Sequence, residues 1–102
     1  MEIVSCCYQL TAELPDLERY GLASQINRSA VSIPSNIAEG ASRDSSKDFN
    51  HFLRIALGSS FELETQLLIL SQEYLKSDEQ LDSTLALVDE EQKMIMGLMK
   101  RL

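Results

Sequence analysis

The chain of 102 residues has no tryptophan, one histidine, two cysteines, two prolines and four glycines, and each scarcity removes a class of protein. So few glycines and prolines do not suit an all-β chain with its many turns, and 44% hydrophobic residues is too many for a disordered chain. A lone histidine cannot supply the two Glu-x-x-His motifs of a ferritin-like metal site. Asp48 and His51 could share one helix face, but no second pair accompanies them. Cys6 and Cys7 are adjacent, poorly placed to bond to each other and too few for a metal cluster. They read as one core residue and its neighbour. No base flanks either thiol, and neither a Gly-x-Ser-x-Gly elbow nor a phosphate-cradling glycine loop is present. No catalysis and no cofactor are expected.

Positive charge is also scarce, with nine basic residues against sixteen acidic and a net charge of −7. That balance argues against a nonspecific phosphate-binding surface, which needs clustered Lys and Arg. Up to Phe61 there are five basic and seven acidic residues, and from Glu62 onward four and nine, so the acidity is concentrated late. The candidate nucleic-acid contacts reduce to Arg19, Arg28, Arg43, Lys47 and Arg54. No apolar run approaches the roughly 18 residues of a membrane span and no secretory segment is visible. A soluble, cytoplasmic protein is expected, with residues 1–102 as one small domain that would benefit from oligomerisation.

What is present is helical periodicity. Ile3, Cys7 and Leu10 predict a short first helix over about 2–13, ended by Pro15. Leu22, Ile26, Ala30, Ile33 and Ile37 predict a second over about 17–39, kinked at Pro34, with Gly40 as its C-cap. Ser45 caps a third over about 46–76, whose stripe runs through Phe49, Phe52, Leu53, Ala56, Ser60, Leu63, Leu67, Leu70 and Tyr74. Gly58 within it suggests close approach of a neighbouring helix. Ser77-Asp78-Glu79-Gln80 matches a capping box opening a fourth helix over about 78–101. Short connections favour an antiparallel, up-down-up-down four-helix bundle, all-α in class.

Helices three and four carry more apolar residues than one core needs: Ile55, Leu57, Leu68, Ile69, Leu75, Leu87, Met94 and Met96. A second buried interface follows as an expectation, made with further copies or a protein partner. On helix two, Ser32, Asn36 and Glu39 share a direction, flanked by Ser35 and Arg28. One reading has Asn36 or Ser35 bonding backbone near Pro34 while Glu39 pairs with Arg43 or Arg54. The other makes Asn36, Glu39 and Glu64 a small-molecule or metal site. Glu62 and Glu64 point to different faces and suit pairing across helices better than acid–base work.

Four blocks carry a resemblance: Leu14-Pro15, Glu18 to Ile26, Ser32-Ile33-Pro34-Ser35-Asn36-Ile37-Ala38-Glu39-Gly40, and Phe52 to Leu67. They resemble the bacterial four-helix bundle proteins named for open reading frames in 23S rRNA intervening sequences, a family related to the accessory variability determinants of diversity-generating retroelements. The resemblance implies a bundle that assembles as a homo-oligomer, a ring of five, with no enzyme activity. It makes RNA or a reverse-transcriptase-like protein the alternative partner. Two departures stand out. The first helix starts about three turns later than is usual, which reads as a short start exposing part of the groove that helix one fills. Asn27 and Ser29 stand where many members have Arg or Lys, and five copies at −7 would carry −35 formal charges.

Overall fold

The structure is a computed structural model describing residues 2–14, 21–74 and 78–102. These fold into four α-helices, α1 (Glu2–Thr11), α2 (Leu22–Ala41), α3 (Ser46–Glu73) and α4 (Glu79–Arg101). Each helix packs on its chain neighbours and α1 packs on α4, so the four close into a ring. Ser29 meets Glu62, Ser32 meets Ser59 and Gly40 meets Phe52. Partners descend along α3 as numbers ascend along α2, so these two helices run in opposite directions.

The core is the predicted stripes brought together. Leu53, Ala56, Leu63, Leu67 and Leu70 of α3 are buried against Ile26, Ala30 and Ile33 of α2, Leu81, Val88 and Ile95 of α4, and Cys7 and Leu10 of α1. Each buried leucine contributes about 1.5–3 kcal/mol relative to an exposed one. The stripe ends differ from expectation: Tyr74 is exposed, while Phe49 packs only partly on the core.

Ser45 caps α3 as predicted, in extended conformation, its Oγ accepting from the Asp48 N–H at 3.1 Å. At α4 the cap is Asp78, whose Oδ1 accepts from the Leu81 N–H at 2.9 Å, so the expected Ser77 capping box is displaced by one residue. A carboxylate caps as well as a hydroxyl and adds charge favourable to the helix dipole. Ser77 and Leu75 lie outside the described residues, and α3 stops at Glu73 rather than 76. Helix α1 ends at Thr11 rather than 13, where a turn bonds Glu13 N–H to Leu10 O and Leu14 N–H to Thr11 O.

Helix α2 departs most from the prediction. Gly21 is a turn residue and the helix starts at Leu22, while the predicted start near 17 lies outside the described residues. At the other end Gly40 is not the C-cap. It is a buried helical residue, and Ser42 closes the helix with its N–H on Ala38 O and Glu39 O. A Cβ on Gly40 would lie 2.8 Å from Phe52 Cβ and 2.9 Å from Phe49 Cδ1, so glycine serves the α2–α3 approach there rather than a left-handed turn. Gly58 reverses the expectation the other way. It is exposed, with nothing within 4 Å of the place its Cβ would take.

Pro34 sits inside α2, which continues through it to Ala41. Helix α1, with 10 residues, spans about 15 Å. Helices α2 and α4, with 20 and 23 residues, span about 30 and 35 Å. The corner between α2 and α4 is therefore filled by α1 along only part of its length.

Candidate functional site

The polar positions singled out on α2 form a seam against α3. Ser32 Oγ and Ser59 Oγ share a hydrogen bond of 2.7 Å, and Asn36 Nδ2 donates to Ser32 O at 2.8 Å and to Ser32 Oγ at 3.0 Å. One turn earlier Ser29 Oγ donates to Glu62 Oε1 at 3.0 Å. The carbonyl that Pro34 leaves without its helical donor belongs to Ala30, four residues back. Asn36 instead adds a second donor to the next carbonyl but one, that of Ser32, and so braces the helix beside the proline. Ser35 is exposed.

Glu39 pairs with Arg43 at 2.9 Å, both side chains about half exposed, and the Arg43 guanidinium lies over the Phe52 ring at 4.8 Å. Glu64 accepts from Gln92 Nε2 of α4 at 3.0 Å. Asn36, Glu39 and Glu64 thus each engage a different partner and are not gathered into one site. Among the described residues no group of three or more His, Cys, Asp or Glu is placed to hold a metal.

The basic candidates do not converge either. Arg19 lies outside the described residues. Arg28 is exposed in the first half of α2, away from the α2–α3 turn around which Arg43, Lys47 and Arg54 are exposed. Glu39, Asp44 and Asp48 are exposed on that same end, three carboxylates against three cations, so the end carries no net positive charge. Only Lys47 and Arg54, seven residues apart on one face of α3, present cations without an ion-pair partner among the described residues.

Three contacts were not read from the sequence: Thr11 with Asn27 (3.1 Å), Gln80 with Gln9 (2.8 Å) and Gln92 with Glu64. Each joins polar residues distant along the chain, for which local spacing gives no signal. Cys7 is fully buried, which, with Cys6 beside it, pushes its thiol up to about 12. It is packing material rather than a nucleophile.

The surplus apolar residues have a clear placement. Ile55, Phe61, Leu68 and Ile69 are exposed on α3, 39%, 47%, 49% and 43% respectively, on the side facing away from Leu63 and Leu67. Ile55, Gly58, Glu62, Thr65 and Ile69 follow alternating spacings of three and four, the spacing of a helix–helix seam, with Phe61 and Leu68 beside it. Met94 and Met96 are exposed on α4, whereas Leu57 and Leu87 are half-buried. No helix among the described residues is long and apolar enough to cross a membrane.

Four helices in a closed ring, a polar seam between α2 and α3 and an outward apolar stripe on α3 define a four-helix bundle protein. The chain belongs to the 23S rRNA-intervening sequence protein family, whose pattern matches residues 1–97. It is similar to a crystal structure of a protein of unknown function from the S23 ribosomal protein family of Bacteroides thetaiotaomicron VPI-5482, at 25% identity and a TM-score of 0.76, over 96% of this chain and 98% of that one. No curated protein sequence matches the chain.

Proposed function

We propose that this protein is a non-enzymatic module that acts as a homo-oligomer, a ring of five subunits joined through the outer face of α3. The observation that carries this reading is the exposed stripe of Ile55, Phe61, Leu68 and Ile69, with the open backbone of Gly58 set within it. A contiguous apolar face on an otherwise acidic surface costs free energy in water and is relieved when another copy covers it. The number five rests on the family resemblance. Absolute mass by light scattering across a salt series tests it: a five-subunit mass is expected, and a monomer at every salt concentration would overturn the reading.

A second reading, nucleic-acid or ribonucleoprotein binding with a reverse-transcriptase-like partner, draws on Lys47 and Arg54, which a ring would repeat around its axis. RNA binding at low ionic strength that weakens in Lys47→Ala and falls with salt would support it. RNA that fails to bind even at low salt would remove it.

A further inference from the structure

At the corner where α1 stops short, a groove of about 400 Å³ opens between α2 and α4. Its walls are apolar, with Ile33, Pro34 and Ile37 from α2 and Leu87 and Met94 from α4. Met94 is 65% exposed, the highest value among the large apolar residues of the described structure. Three carboxylates, Glu2, Glu90 and Glu91, stand at its edge, and none has an ion-pair partner among the described residues. Leu87, Glu90, Glu91 and Met94 follow helical spacings of three and four, so apolar and acidic positions alternate along this side of α4.

We propose that this groove docks a short basic amphipathic helix from a partner protein. The shape argues for a helix, because α1 fills the same corner further along and the unfilled stretch is about 15 Å, roughly ten helical residues. The walls argue for two or three apolar anchors at i, i+3 or i+4 and i+7, the spacing by which amphipathic helices enter hydrophobic grooves. The unpaired carboxylates argue for Lys or Arg flanking those anchors, since opposite charge at the edge of an apolar groove raises both affinity and selectivity. A second copy is a poor occupant. This chain is acidic overall, and α3, whose outer face the assembly reading uses, stands across the ring from α1 without packing on it.

The test uses the full chain and a fluorescein-labelled synthetic peptide of roughly twelve residues, about 18 Å as a helix, with leucines at the anchor spacing and lysines beside them. A scrambled peptide of the same composition and a peptide with Glu for Lys serve as controls. Fluorescence anisotropy is expected to show binding of the basic amphipathic peptide alone. Met94→Glu should weaken it by about tenfold or more, and Glu90→Lys with Glu91→Lys should transfer preference to the acidic peptide. Circular dichroism confirms that these exposed substitutions leave the fold intact. Equal binding of the scrambled peptide, or affinity unmoved by both variants, would overturn the proposal. So would a fall in assembly mass in Met94→Glu, because that would make a second copy the occupant. The anisotropy result does not depend on the subunit number, so failure of the groove and failure of the five-subunit reading are told apart.

Discussion

Helix α3 has two apolar faces of similar chemistry and opposite circumstance. Leu67 is fully buried among Leu63, Leu70 and the other helices, while its neighbour Leu68 is 49% exposed. The same contrast holds for glycine, since Gly40 meets the inner face of the α2–α3 pair with no room for a methyl group and Gly58 lies open on the outer face. Hydrophobicity alone therefore does not distinguish the residues that hold the monomer together from those offered to another surface. Position around the helix does.

The sharpest way to break the comparison is to truncate both leucines. Leu67→Ala should cost about 2–5 kcal/mol by transfer and cavity terms, read by denaturant unfolding. Leu68→Ala should change monomer stability by less than about 0.5 kcal/mol and instead lower the mass of the assembly. Equal losses of stability would mean that the outer face is structural. The glycines give the next largest effect. Gly40→Ala should destabilise by about 1–3 kcal/mol through overpacking against Phe49 and Phe52. Gly58→Ala should gain about 1 kcal/mol of helix propensity in a monomer and weaken association if a neighbouring subunit occupies the notch.

Smaller effects probe the polar seam. Asn36→Ala removes the donor to Ser32 O and should cost about 1 kcal/mol, measured as a shift in the unfolding midpoint. Unchanged stability would free Asn36 for a ligand. The smallest effect is confined to alkaline pH. Cys7 keeps its proton in the folded state up to about 12, whereas its ordinary value is 9.0. Its contribution is complete below pH 9, then declines as the unfolded thiol ionises and is gone above about 12. The stability difference between the native protein and Cys7→Ala should therefore shrink across that window and stay constant below it.

Much of this was legible. The α3 stripe declared itself because its apolar spacing is sustained over many turns, and Ser45 because a cap is a local contact. The glycines were misread for a physical reason: a glycine after an apolar run resembles a helix stop, and only the third dimension shows that Phe49 and Phe52 press on Gly40. Gly58 misled in the opposite sense, since openness and close approach both permit glycine. On the polar seam, Ser32 and Asn36 were visible from their shared face, whereas Ser59 was visible only as a small residue until α3 was laid beside α2. The basic candidates failed to gather because residues close in sequence, Glu39, Asp44 and Asp48, bring equal negative charge to the same end.

The seam between Ser32 and Ser59, taken with Gly40 against Phe52, also acts as a vernier on the α2–α3 pair. Leucine against leucine tolerates sliding, because one apolar contact replaces another at little cost. A slip of α3 by four residues would set Ser32 opposite Ile55 or Leu63 and carry the bare backbone of Gly40 away from its phenylalanines. The hydroxyls would lose their partners, at about 1 kcal/mol or more for each polar group left buried. Two marks, one polar near the middle of the pair and one steric at its end, thus select a single alignment from an interface that is otherwise almost uniformly aliphatic.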